Sequence, residues 1–241
     1  MARTIKIDNA QLKRCKRASQ KRKSKPVGFR VLIVCEGKKT EPNYFEAFRK
    51  INNGVFVIDM DVNGGGINTT GVVDKAIRLR DNAIVEYDRV WAVFDKDSFP
   101  DANFNSAIIK AKKNNICCAW SNEAFELWYL YHFQNRVTAM KRQDYKDAIS
   151  KAVNESPKYK KKTPFVYQKN DAYGDGTTNY DIMTKYGSMD NAIQWAEAKS
   201  NEYDDEKFAK HNPCTMVFKL VKQLLGKDDE LNDEIKRKVD E

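Results

Sequence analysis

Three carboxylates stand where apolar, strand-like runs stop. Glu36 directly follows Phe29–Cys35 (FRVLIVC), and Asp95 and Asp97 directly follow Arg89–Phe94 (RVWAVF). If the two runs are strands of one parallel sheet, their carboxyl ends share an edge and side chains far apart in sequence converge there. Asp95 and Asp97, two apart in an extended segment, would point to the same side and share one cation. Mg²⁺ takes oxygen ligands in an octahedron and keeps several waters, so two or three carboxylates are sufficient for it. Such a centre suits phosphodiester chemistry, where a metal polarises the phosphoryl oxygen, lowers the pKa of an attacking water and stabilises the leaving alkoxide. Lys38 and Lys39 lie beside Glu36 and could clamp a scissile phosphate, or be solvated turn lysines. Acids after strands also serve as caps and solvated loops, so spacing alone leaves a structural role open.

The elements that must position these residues are legible along the chain. Val55–Val62 reads as a second strand and Ile116–Trp120 (ICCAW) as a fourth. Apolar spacing at Tyr44, Phe45, Phe48 and Ile51 predicts a helix after the first strand, with Thr40 and Glu41 as caps and Pro42 in its first turn. Further helices are expected around Val72–Ile84 and Ala107–Ala111, and a glycine-rich loop at 63–71. This βαβαβαβ alternation with short connections predicts a parallel α/β sheet with helices on its faces. Past Asn122 the pattern turns helical, over 124–133, 141–153, 188–203, 215–225 and a closing helix to 241, with a polar loop at 167–176. The expected organisation is a basic arm over 1–28, a catalytic domain over 29–140, and a mostly helical lobe over 141–241 packed on it.

Composition narrows the class. The chain has 241 residues, 41% of them hydrophobic, with 12 Phe, 11 Tyr and 4 Trp, which is enough for a folded core. Five cysteines without Cys-x-x-Cys spacing and only two histidines leave little material for zinc and read as reduced thiols. No apolar run is long enough for a membrane span and no secretory signal is evident, so a cytoplasmic protein without membrane contact is expected. Residues 1–30 carry 11 bases and one acid, whereas the other 211 are nearly neutral at −1. An arm so charged, with Lys13, Arg14, Lys16, Arg17, Lys21, Arg22 and Lys23 at its centre, suits polyphosphate, because binding releases condensed counterions. Lys160, Lys161 and Lys162, in an exposed loop between prolines, add a smaller basic cluster.

The motifs also resemble a known family. Cys35–Phe45 (CEGKKTEPNYF) resembles the Glu-Gly-x-x-Thr-Glu-x-x-Tyr-Phe signature of the RloB-like family, and Val93–Asp97 (VFDKD) resembles its Asp-x-Asp strand end. Ser121–Trp128 with His132-Phe133 is similar to the family's Ser-Asn-Pro-x-Phe-Glu-x-Trp…His-Phe stretch, and Asn212–Thr215 resembles its late Asn-Pro-Ser-Thr element. The resemblance runs in order from residue 29 to about 222. It implies a Toprim-like fold, the catalytic module of primases, topoisomerases and OLD-type nucleases, in which the glutamate after the first strand and the Asp-x-Asp after the third hold Mg²⁺. The family's place beside phage-defence genes implies a nuclease of antiviral immunity. Glu123 stands where the family has proline, Cys214 replaces a hydroxyl residue, and Phe99 stands where some Toprim proteins carry a further acid.

Together these readings predict a nuclease dependent on Mg²⁺ or Mn²⁺. Glu36 is expected as ligand or general acid/base, Asp95 as principal ligand and Asp97 as a second. Glu126 is expected either as a further ligand or as a buried, paired carboxylate, and Lys38 as a phosphate contact. RNA, structured RNA such as tRNA first, is preferred over DNA, and the arm, Lys39 and Lys160–Lys162 are the expected nucleic-acid contacts. An ATPase or sensor partner and a homodimer stay open, as does a non-catalytic nucleic-acid-binding or regulatory subunit. His132 is expected to be a packed structural histidine.

Overall fold

The computed structural model describes residues 28–50, 57–64, 69–171 and 173–240. Four parallel strands, β1 (Gly28–Cys35), β2 (Val57–Gly64), β3 (Arg89–Asp95) and β4 (Cys117–Asn122), form one sheet in the order β2-β1-β3-β4. A two-residue strand, β5 (Cys214–Thr215), adds antiparallel to the far edge of β4. The connecting helices are α1 (Thr40–Glu46), α2 (Thr69–Asp81) and α3 (Asp101–Lys113). The chain is therefore α/β, with a five-stranded, mostly parallel sheet flanked by helices.

The near absence of polar alternation in β1 and β3 has a simple cause, which is that both faces are covered. Phe29, Val31, Ile33, Trp91 and Val93 project into one core, whereas Leu32, Val34, Val90, Ala92 and Phe94 project into another, with Val72, Val73 and Ala76 of α2 and Phe104, Ala107 and Ile108 of α3. The first core continues into the C-terminal half, through α4 (Glu126–Tyr131), α5 (Tyr145–Glu155), α6 (Asn179–Tyr186), α7 (Met189–Ser200), α8 (Val217–Leu224) and α9 (Asp229–Asp240). The helices after residue 140 thus share apolar interior with the sheet.

Several expectations need correction. The helix expected at 124–133 is regular only over Glu126–Tyr131, and the one expected at 141–153 opens as a 3₁₀ turn, Arg142–Asp144, before α5. Residues 65–68 of the expected glycine loop, residues 55–56 of the expected second strand and residues 1–27 of the arm lie outside the described residues. β5 takes Cys214 together with Thr215, the first residue of the helix expected over 215–225, because their backbone groups pair with Asn122 and Ser121. The helix α6 was not anticipated, although a capping box at its start, Thr178 with Asp181, is a local signal for it. Thr40 does not cap α1: its hydroxyl donates to Asn170 Oδ1 at 3.1 Å, and Lys39, at the N-cap, makes no side-chain cap bond. No helix among the described residues is long and apolar enough to cross a membrane.

One buried polar contact ties α1 to α4, and hence the turn after β1 to the segment after β4. Trp128 Nε1–H donates to Tyr44 Oη at 2.7 Å, with both side chains buried among Phe45, Phe48, Phe125 and Tyr129. Tyr44→Phe leaves the ring packing in place and strands the indole N–H, which costs about 1 to 3 kcal/mol. Denaturant unfolding should show that loss, whereas a loss near zero would mean that the indole finds another acceptor.

Candidate functional site

The strand order places β1 and β3 side by side while their connections run to opposite sides of the sheet, so a crevice opens beyond their carboxyl ends. Glu36 and Asp95 border it. Glu36 N–H continues the ladder to Val93 O at 2.9 Å, and Glu36 Oε2 accepts from Asp95 N–H at 3.0 Å. One oxygen of Glu36 is thereby fixed by the neighbouring strand.

Gly37 makes the next step possible. A Cβ at this position would lie 2.1 Å from Glu41 Oε2, so Glu41 can occupy its place against the backbone of residue 37 while that residue has no side chain. Glu41 is 7% exposed and lines the same crevice, so the expectation that it serves only as a helix cap is incomplete. Its position in the first turn of α1 was visible in the sequence, but the burial was not.

At the end of β3, Asp95 is 5% exposed, and the backbone then leaves the extended region: Asp97 has φ 39° because its N–H turns to bond Glu123 O at 3.0 Å. Aspartate tolerates this left-handed conformation better than most residues. The two acids are therefore not a simple extended pair on one side, as the spacing suggested. They are joined by Arg142, whose Nη1 lies 2.7 Å from Asp97 Oδ2 and Nη2 3.7 Å from Asp95 Oδ2. Arg142 is itself fixed by its backbone N–H, which donates to Glu123 Oε2 at 2.8 Å. The carboxylate at the position where the family resemblance expects proline thus anchors the arginine.

Glu126, at the start of α4, completes the ring. Oε1 accepts from Tyr167 Oη at 3.3 Å and lies 3.8 Å from Lys169 Nζ, whereas the buried Oε2 has no hydrogen-bond partner among the described residues. A buried carboxylate oxygen left without a donor is costly, so Glu126 is only half satisfied as a structural group.

Glu36, Glu41, Asp95, Asp97, Arg142 and Lys169 line a cavity of about 410 Å³. Glu126, Arg142, Tyr145, Tyr167 and Lys169 line an adjoining one of about 360 Å³. The crowding shifts the acids toward their neutral forms. Burial, with the charges of Glu41 and Asp97, raises Glu36 from an ordinary 4.5 to about 7, against the Asp95 N–H bond and Arg142. Burial and the charges of Glu41 and Glu126 hold Asp95 well above the usual carboxylate range, with Arg142 opposing. Burial and Glu126 likewise raise Glu41.

Of the residues expected from sequence, Glu36, Asp95, Asp97 and Lys38 line the larger cavity, and Lys39 joins them as an exposed side chain at its rim. Glu126 lies on the adjoining wall. Lys160, Lys161 and Lys162 are exposed and line neither cavity. Lys13, Arg14, Lys16, Arg17, Lys21, Arg22 and Lys23 lie outside the described residues. His132 is a buried packing residue: its Nδ1 bonds Trp128 O at 3.0 Å, and burial lowers its pKa to about 4. Sequence reasoning missed Glu41 as a buried site residue, and Arg142, Lys169 and Tyr167 altogether.

A family model described as RloB-like protein matches residues 31–224. The chain belongs to the RloB-like family. The matched region of this RloB-like chain contains all the acids and cations of the crevice. No curated protein and no solved structure matches it significantly.

The donors are of the kind a hard cation takes, all carboxylate oxygens, and the partnerless Oε2 of Glu126 is one such donor not otherwise used. No three His, Cys, Asp or Glu side chains among the described residues stand close enough to enclose a metal ion, and Arg142 lies against Asp95 and Asp97 instead. Mg²⁺ needs only one or two protein carboxylates with waters, so the residues suit it in chemistry without forming a closed cage.

Because the folded chain keeps a proton on Glu36 between its ordinary pKa of 4.5 and about 7, where the unfolded chain has released it, this group makes stability fall as pH rises through that window and level off above it. In chelator, melting temperature should therefore decline across the window more steeply for the native chain than for Glu36→Gln. Parallel profiles for the two proteins would contradict the assigned crowding.

Proposed function

We propose that this protein is a metal-dependent nuclease that hydrolyses phosphodiester bonds in nucleic acid. The observation that carries the reading is the convergence of Glu36, Glu41, Asp95, Asp97 and Glu126 at the carboxyl ends of the sheet, with Lys38, Lys39, Arg142 and Lys169 around them. A binding module has no use for five acids that repel phosphate, whereas a hydrolase needs oxygen donors to hold a cation and a base to take a proton. The resemblance to the Toprim module supports the same reading.

Asp95, Asp97 and Glu126 are the residues that would hold Mg²⁺ or Mn²⁺. A bound ion supplies charge to the phosphoryl oxygen and acidity to a coordinated water. Glu36, with a pKa near 7, is suited to accept the proton of the attacking water at neutral pH. The water oxygen bonds to phosphorus, the bond from phosphorus to the leaving oxygen breaks, and that oxygen takes up a proton. Lys38 is exposed at the rim of the cavity, where its ammonium can hold a non-bridging phosphate oxygen.

Structured RNA such as tRNA is the favoured substrate and DNA the second, in an antiviral defence role. The basic residues of 1–30 would add sequence-independent grip on the backbone. The test is incubation of the pure protein with Mg²⁺ or Mn²⁺ and a panel of tRNA, single-stranded RNA and DNA. Asp95→Asn should bring cleavage to background while melting temperature and nucleic-acid affinity stay near native; undiminished turnover would remove Asp95 from the centre. Deleting residues 1–25 should weaken binding and flatten its salt dependence, since each phosphate contact contributes a slope of roughly −0.7 on single strands. An unchanged slope would reduce the arm to a solubility tail.

A further inference from the structure

Two cations reach the carboxylate centre from outside the sheet. Arg142 belongs to the 3₁₀ turn before α5, and Lys169 begins the short 3₁₀ segment Lys169–Asp171 before α6. Both line both cavities, so they stand on the wall between them. Their side chains are 35% and 50% exposed, whereas those of the acids Asp95 and Glu126 are 7% exposed. The side chains of the two cations are thus partly open to water while two of the charges they offset are not.

Their bases are fixed and their heads are held unevenly: Arg142 Nη1 keeps one short contact, 2.7 Å to Asp97 Oδ2, at a pair whose side chains are 35% and 39% exposed. The backbone of Arg142 is held by Glu123, whereas one of its two ion pairs is loose, at 3.7 Å from Asp95. The Lys169 segment is pinned to α1 through Thr40 to Asn170 at 3.1 Å and Asn43 to Asp171 at 2.8 Å, and Asn170 and Asp171 both take left-handed backbone, φ 65° and 57°. The ammonium is nevertheless 3.8 Å from Glu126, beyond hydrogen-bond length. Contacts of this kind yield to a divalent ion that binds oxygen directly at about 2.0 to 2.1 Å. Once carboxylate charge is taken up by such an ion, an arginine and a lysine remain at the cavity walls without their partners, and phosphate is the anion whose geometry the guanidinium fork matches.

We infer that Arg142 and Lys169 are exchangeable cations of this site, which neutralise Asp95, Asp97 and Glu126 while no metal is bound and turn to the substrate's backbone phosphates when a divalent ion takes those carboxylates. The inference rests on the nuclease reading and deepens it. It assigns Arg142 two opposed effects, competing with metal and assisting the polyanion, which a purely structural arginine would not have.

The experiment uses the full chain and its variants Arg142→Gln, Arg142→Lys and Lys169→Gln. Mn²⁺ affinity is measured calorimetrically without nucleic acid, and affinity for a labelled single-stranded RNA by anisotropy with Ca²⁺ in place of Mn²⁺. Arg142→Gln should bind Mn²⁺ several-fold more tightly than the native chain and RNA about tenfold more weakly, as loss of a charge-assisted bond predicts. Arg142→Lys should recover part of the RNA affinity, and the half-exposed Lys169→Gln should change both affinities in the same directions by smaller factors. Unchanged or weaker Mn²⁺ binding in both glutamine variants, with native melting temperatures, overturns the exchange. Tighter Mn²⁺ binding with unchanged RNA affinity overturns the phosphate role. Should the native chain take up no Mn²⁺ at all, the nuclease reading fails first and the exchange with it.

Discussion

Asp95 N–H donates to Glu36 Oε2 across the edge of the sheet, and that single bond sets two acids against each other at the mouth of a crevice. Glu41 and Glu126 bring further negative charge to the same place, both nearly buried. Like charges in a partly dehydrated site repel far more strongly than they would in water, so the surrounding structure has to hold them. The upward shifts of the Glu36 and Asp95 carboxyls register that demand, and the Arg142 and Lys169 counter-charges, with the anchoring of both cations, answer it.

The two faces of the sheet divide this work. On one face α2 and α3 close a conventional apolar layer that keeps β1 and β3 in register and contributes nothing to the crevice walls beyond that. On the other, α1 and the C-terminal helices form a core rich in aromatic rings, with Tyr44 and Trp128 hydrogen-bonded at its centre. That second layer carries Glu41 and Glu126 inward and brings the Arg142 and Lys169 turns to the ends of the strands. A site assembled from five separate chain segments is only as well placed as the packing between them, which is why so much apolar volume lies directly beneath it.

The glycine and glutamate of the Glu-Gly-x-x-Thr-Glu stretch have a common physical reason. Gly37 leaves the space that Glu41 fills, and any Cβ there would collide with the carboxylate. The glycine thus matches the close approach of a charged group, and not a positive φ. Gly64 meets the same neighbourhood from β2, where a Cβ would lie 2.8 Å from Gly37 O.

The sequence by itself determined the parallel strands, because burial on both faces leaves a local record in runs such as FRVLIVC and RVWAVF, and it placed Glu36 and Asp95 at strand ends because strand ends are local too. It also determined where the positive charge lies, since that is arithmetic over residues 1–30. Tertiary structure decided the rest of the centre. Arg142 and Lys169 sit in polar turns that look like any solvated loop until packing carries them to the acids. The left-handed turn at Asp97 exists because its N–H finds Glu123 O, and β5 exists because Cys214 and Thr215, at the start of a helical-looking run, find the edge of β4. Each of these is a pairing between distant segments, and periodicity, propensity and spacing report only on neighbours along the chain.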